Sequence, residues 1–125
     1  MSEEHDSDSL EREDFHNVTV LRLKTSQLLG DDAIRDLFEP VYLLPTIGRN
    51  CLVINLDAVE YLTSMTIGKL IMLNRKIQVA RGRLALCHLS PMADEILEVT
   101  RLKPLFYIYA TEQEALKSFS SEMHA

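Results

Sequence analysis

A single α/β domain, with a mixed and mostly parallel sheet of four to five strands and about four helices, is the fold to which three features of this chain point. Strand-like and helix-like stretches alternate as β-α-β-α-β-α-β-α with short links, the pattern that gives parallel strands joined by right-handed crossovers. The run Cys51-Leu52-Val53-Ile54-Asn55-Leu56 is nearly continuously apolar, which suits a strand covered on both faces. The length of 125 residues is enough for one modest core and not for two.

The acidic head comes first. Residues 1–17 carry seven acids (Glu3, Glu4, Asp6, Asp8, Glu11, Glu13 and Asp14) against one base, Arg12. They are expected to form a solvated, mobile tail, the alternative being an edge strand over Leu10 to Phe15 before a turn at His16-Asn17. Residues 18–120 are the expected folded domain, and 121–125 a short C-terminal tail. Val18-Thr19-Val20-Leu21-Arg22-Leu23 reads as a strand from its β-branched content, although Arg22 spoils a clean alternation. Thr25 to Gly30 connects it to a helix that Asp31 or Asp32 can cap. In that helix Ile34, Leu37, Phe38, Val41 and Leu44 recur at the spacing of one helical face. Pro40 is expected to kink or interrupt it and Pro45 to end it. Gly48-Arg49-Asn50 then turns the chain into the central strand, whose carboxyl end Asp57 marks.

After the bridge Ala58 to Leu62 comes Thr63-Ser64-Met65-Thr66, with three hydroxyl side chains where a helix must begin. Thr63 or Ser64 is the natural N-cap. Ile67, Leu70, Leu73 and Ile77 share one face of that helix, while Met65, Lys69, Met72, Lys76 and Val79 form a second stripe. Gly82 is expected to close the helix as a left-handed C-cap. Leu84 to Leu89 is the next strand. Ser90-Pro91 supplies an N-cap and a proline at the first helical position, followed by Met92, Ile96, Leu97 and Val99. Leu105 to Tyr109 is the last strand, and Thr111 with Glu114 has the spacing of a capping box before a final helix using Ala115, Leu116 and Phe119.

Composition narrows the function. The net charge of −6 resides in the acidic head, and residues 18–125 balance twelve acids with twelve bases, so no nucleic-acid footprint is present. No run has the apolar length of a membrane span, and the acidic N-terminus is the reverse of a signal peptide; a cytoplasmic location is expected. Cys51 and Cys87 lie in apolar runs and read as small buried hydrophobes. The four scattered histidines suggest no metal, and no cofactor is expected. A catalytic set of Asp57, Glu60 and Ser64 at the carboxyl edge of the sheet would lack a nearby histidine, so no enzyme is expected. Locally, the hydroxyl turn is accounted for by capping alone. The methionine and lysine stripe reads either as a flank of the core or as adaptable surface where another protein docks.

Taken together, Val53-Ile54-Asn55-Leu56-Asp57-Ala58-Val59-Glu60-Tyr61-Leu62-Thr63-Ser64-Met65-Thr66-Ile67-Gly68-Lys69-Leu70 resembles the STAS domain family, the anti-sigma factor antagonists and their relatives. Gly82, Leu89-Ser90-Pro91, Thr100-Arg101-Leu102 and Glu114-Ala115-Leu116 extend the likeness, which covers about Val18 to Phe119. The resemblance implies a serine at the start of the second helix that is phosphorylated by a partner serine kinase, itself an anti-sigma factor, so that only the unphosphorylated antagonist binds. Ser64 matches that serine, with Thr63 and Thr66 as secondary acceptors. The hydroxyl turn, the methionine and lysine stripe and the likeness together give Asp57, Thr63, Met65, Thr66, Lys69, Met72 and Lys76 as the expected partner-binding residues. Thr63 stands where the family usually has Asp, Met65 where a second Ser is common, and Thr66 where Gly is common. The alternative implied by other relatives is a non-phosphorylated interaction module in a signalling scaffold or transporter complex.

Overall fold

The computed structural model describes residues 10–24, 31–60 and 62–124. Five strands, β1 (Leu10–Phe15), β2 (Val18–Leu23), β3 (Cys51–Asn55), β4 (Arg83–Cys87) and β5 (Tyr107–Tyr109), form one sheet in the order β1-β2-β3-β4-β5. The β1–β2 pair is antiparallel and the other three pairs are parallel. Four helices follow the strands: α1 (Asp31–Leu43), α2 (Ser64–Val79), α3 (Pro91–Val99) and α4 (Glu112–His124). The mixed, mostly parallel α/β domain expected from the sequence is the fold observed.

Two apolar layers cover the sheet. Leu21, Leu23, Leu52, Ile54, Leu84 and Leu86 face Ile34 and Phe38 of α1, Leu70, Leu73 and Ile77 of α2, and Leu97 of α3. Val18, Val20, Val53, Ala85 and Cys87 face Ala115 and Phe119 of α4 on the other side. Coverage of both faces explains the imperfect alternation of β2, where five of six residues are buried and only Arg22 is half-exposed.

The acidic head corrects the sequence expectation. Residues 10–15 are an edge strand, the alternative reading, and not part of a tail that runs to residue 17. The strand forms because its two apolar ends have separate uses: Leu10 packs against the α1–α3 side of the core and Phe15 against the α4 side. Its charges are satisfied too, since Glu11 and Glu13 lie 3.2 and 2.9 Å from the Arg22 guanidinium. The expectation for residues 1–9 lies outside the described residues. At the other terminus, α4 continues through His124, into the segment expected as a tail.

Three local expectations change with tertiary context. The α1 helix runs through Pro40 without interruption. Both Pro40 and Asp36, whose carbonyl loses its donor, lie on the exposed face, where water can serve instead. The left-handed residue at the end of α2 is Arg81 (φ 63°), not Gly82. There the Arg81 N–H donates to the Gln78 carbonyl at 2.9 Å and the Gly82 N–H to Ile77 at 2.8 Å, a Schellman closure. Arg101 (φ 61°) ends α3 in the same way, with Arg101 N–H to Glu98 at 3.0 Å and Leu102 N–H to Leu97 at 2.9 Å. Gly82 has a different role: a Cβ there would sit 1.8 Å from the Asn50 carbonyl oxygen, which accepts the Arg83 N–H at 3.0 Å as β4 begins. Finally, β4 stops at Cys87 because His88 turns left-handed (φ 58°), and a short 3-10 turn over Lys103–Leu105 delays β5 to Tyr107.

Candidate functional site

The serine-bearing turn is held from both sides. At the end of β3 the Asn55 side-chain carbonyl accepts the Asp57 N–H at 2.8 Å and turns the chain at the carboxyl edge of the sheet. Leu56, Val59 and Leu62 are buried and anchor the following loop, and the Ser90 hydroxyl donates to the Glu60 carbonyl. That anchoring delivers Thr63 as the N-cap of α2, its hydroxyl accepting the Thr66 N–H at 3.2 Å. Ser64 is therefore the first helical residue. It is exposed, and its hydroxyl has no hydrogen-bond partner among the described residues.

From Ser64 an open depression of about 750 Å³ runs along α2, lined by Ser64, Met65, Gly68, Lys69, Met72 and Lys76, with Tyr42 of α1 as its remaining wall. The Tyr42 hydroxyl donates to the Lys69 carbonyl at 3.1 Å, tying α1 to α2. Its ring carries two ammonium groups, Lys69 Nζ 5.7 Å and Lys76 Nζ 5.4 Å from the centroid. Burial raises the phenol pKa above its ordinary value, so the hydroxyl stays protonated at neutral pH. Beyond Lys76 a second, more apolar depression continues over Tyr42, Pro45, Arg75 and Val79. Met72 and Val79 are 44% and 86% exposed. Among the described residues, Lys69, Arg75 and Lys76 have no carboxylate partner.

Of the residues singled out in the sequence, the structure brings Ser64, Met65, Lys69, Met72 and Lys76 to this one groove. Three others lie elsewhere. Thr66 is 1% exposed and bonded to the Thr63 hydroxyl at 3.1 Å, so it belongs to the cap and is no contact surface or accessible acceptor. Thr63 is half-buried in the same cap. Asp57 is exposed, but beside His88, with its carboxylate 4.0 Å from Nδ1. Tyr42 is the residue that sequence reasoning missed; the signal was an aromatic one helical turn after Phe38, beside the apolar stripe of α1.

A second polar cluster, also missed, lies across the carboxyl ends of the strands. Arg22, Asn55 and Cys87 stand in one row of the sheet register. Arg22 grips Glu112 of α4 with two hydrogen bonds, 3.0 and 2.7 Å, and Asn55 donates to the same carboxylate at 2.8 Å. The Glu112 N–H donates to His88 Nε2 at 3.3 Å, which makes His88 part of the cap of α4. The Arg22 guanidinium holds the Glu112 carboxyl below its ordinary pKa, and the carboxylate raises that of Arg22 in return. Burial, reinforced by Glu112, pushes the Cys87 thiol up to about 12. Of the capping box expected at Thr111 and Glu114, the Glu114 N–H to Thr111 hydroxyl bond is present at 3.1 Å.

A four-helix, five-strand domain of this size, with an exposed serine at a helix start and a groove beside it, falls in the class of small single-sheet α/β domains. The family model for the STAS domain matches residues 12–115, and the chain belongs to that family. Its fold is shared with solved structures. A STAS-domain anti-sigma-factor antagonist from Planctomyces limnophilus is 23% identical with a TM-score of 0.77, covering 89% of this chain and 97% of that one. The Bacillus cell fate determinant SpoIIAA in its phosphorylated form is 20% identical with a TM-score of 0.70, covering 88% and 98%. A substituted form of RsbS from Moorella thermoacetica is 14% identical with a TM-score of 0.79, covering 93% and 98%. At these identities the likeness is one of fold. No curated protein sequence matches the chain.

Proposed function

We propose that this STAS domain is a cytoplasmic regulatory protein of the anti-sigma factor antagonist kind. It binds a partner serine kinase that is also an anti-sigma factor, and phosphorylation of Ser64 switches the binding off. The observation that carries the reading is the position of Ser64: an exposed hydroxyl, without a hydrogen-bond partner among the described residues, at the first residue of α2 and at one end of the Met65, Lys69, Met72, Lys76 groove. A solved structure of SpoIIAA, a neighbour in fold, is of a phosphorylated form, which supports the choice of chemistry.

The physics of the switch follows from the site. The N–H groups of the first turn of a helix point outward and carry its positive dipole end, so a phosphate on Ser64 is tolerated by the fold. The same group adds about −1.5 to −2 charges beside the groove. A partner with an acidic or apolar contact surface then meets repulsion or must desolvate the phosphate, and binding is lost with no unfolding.

The test is incubation with ATP and a candidate partner serine kinase of the anti-sigma factor kind, followed by mass spectrometry. The expected result is one phosphate, on the Ser64 peptide, absent in Ser64→Ala, with Ser64→Asp losing at least tenfold in affinity for that kinase. If Ser64 stays unmodified and both variants capture the same partners as the wild type, the switch is wrong and a non-phosphorylated scaffold or transporter module takes its place.

A further inference from the structure

Two exposed rows of side chains in this molecule are built alike and carry opposite charge. On α2, Met72, Arg75 and Val79 are spaced three and four residues apart, so they stand in one row on its outward face. On α3, Met92, Glu95 and Val99 have the same spacing and also face outward. Each row is a pair of apolar side chains about 10 Å apart along its helix with one charge between them. Met92 and Val99 are more than half exposed, and Met72 and Val79 are exposed as well.

The two central charges are the ones their helices leave over. Lys69 and Lys76 of α2 lean on the Tyr42 ring, whereas Arg75 has no hydrogen bond, ion pair or ring contact among the described residues. Asp94 and Glu98 of α3 are held by Lys103 at 2.9 and 3.0 Å, whereas Glu95 has no base within reach among the described residues. The inward faces of both helices, Leu70, Leu73 and Ile77 on α2 and Ala93 and Leu97 on α3, pack into one apolar cluster on the same side of the sheet. Both rows therefore lie on the outer surface of one helical layer, where a second molecule can reach them.

We propose that the occupant of the α2 row is the α3 row of a second copy of this chain, with Arg75 of one copy facing Glu95 of the other between the two apolar pairs. An exposed ion pair alone is weak, but here the apolar side chains on either side leave water together and shield it. The rows sit on different helices, so every copy offers one of each and is both donor and acceptor of the contact. A contact of this size is expected to have a Kd of about 10 μM to 1 mM. Met72 also lines the groove that begins at Ser64, so self-association and the docking of a kinase draw on the same surface. That regulatory consequence rests on the function proposed above; the contact between copies does not.

The test is sedimentation equilibrium of the full chain from about 10 μM to about 1 mM. Salt is held at about 0.15 M, where the net charge of −6 is screened beyond about 8 Å. The wild type should gain mass with concentration. Arg75→Glu and Glu95→Arg, each alone, place like charges in the contact and should weaken association at least about tenfold, with Arg75→Gln and Glu95→Gln falling between. An equimolar mixture of Arg75→Glu and Glu95→Arg chains, and a chain carrying both changes, should associate as the wild type does, because each restores opposite charges across the contact. That recovery cannot come from a variant that merely misfolds. A wild type that stays monomeric throughout leaves α2 to an external partner and overturns the proposal. Charge reversals without effect, or a mixture whose chains stay apart, overturn it too. No kinase enters the experiment, so its failure leaves the Ser64 switch standing, and failure of that switch leaves the self-association standing.

Discussion

The Arg22 guanidinium closes on the Glu112 carboxylate through Nε–Oε1 at 3.0 Å and Nη2–Oε2 at 2.7 Å, joining β2 to the start of α4 across 90 residues of sequence. Both side chains are largely withdrawn from water, at 24% and 19% exposure. Asn55 shares the carboxylate, so one cluster fixes the two elements and the strand that leads to the Ser64 loop.

Removal of one partner should therefore be costly. Glu112→Gln is expected to destabilise the fold by about 1–3 kcal/mol, because Arg22 and Asn55 lose a charged acceptor they share. The folded carboxyl sits below its ordinary value of 4.5, so the stabilisation is complete above that pH and is lost as the pH falls through the depressed folded value. Urea midpoints measured from pH 7 down to pH 3 should fall more steeply below pH 5 for the wild type than for Glu112→Gln.

Arg81 and Gly82, which close α2, should differ in how much a substitution costs. Gly82→Ala places a methyl group 1.8 Å from the Asn50 carbonyl oxygen, a backbone atom that cannot swing away, and should cost about 2–3 kcal/mol or more. Arg81→Gly relieves a left-handed side-chain residue while adding freedom to the unfolded chain, and should be close to neutral. Thermal denaturation of the two variants separates a contact requirement from a torsional one.

At the start of α2, cap and switch residue are adjacent yet separable. Thr63→Ala should lose about 1 kcal/mol, since the Thr66 N–H and the buried Thr66 hydroxyl both lose their partner. Ser64→Ala should change stability by less than about 0.5 kcal/mol, because the Ser64 side chain is exposed and has no hydrogen bond among the described residues. Equal stability of Ser64→Ala and wild type in urea is what permits any change in partner binding to be assigned to the interface.

The two cysteines should differ in reactivity. Cys87 is fully buried, and its thiol is pushed up to about 12, so almost no thiolate exists at pH 8. Cys51 is half-exposed at the opposite end of the parallel strands. A thiol-specific disulfide reagent should modify one group in the native protein and a second only after denaturation.

Most of the architecture was legible in the chain because it depends on local, periodic information. The apolar run of β3, the caps at Thr63 and Ser90, and the helical spacing of Leu70, Leu73 and Ile77 each report their own element. The methionine and lysine stripe was equally readable, since a helix converts sequence spacing directly into a face. What the spacing could not tell was how deep each residue lies, and Thr66, one residue past Met65, is buried. Pro40 misled for a related reason: its cost to a helix depends on whether the orphaned carbonyl faces water, which only the packing of α1 decides.

An α/β STAS domain with a hydroxyl turn at Ser64 and a helix stripe beside it could be read from the chain alone, because those features are written in contiguous residues. Tertiary structure alone decided that Tyr42 forms a wall of the groove, that Arg22, Asn55, His88 and Glu112 meet, and that Leu10–Phe15 completes the sheet. Each of those is a contact between residues far apart in the chain, and the entropy of closing such loops is repaid only by the assembled core, which no local pattern records. Gly82 belongs to the same group: its need is set by the Asn50 carbonyl, which approaches it from 32 positions earlier in the chain.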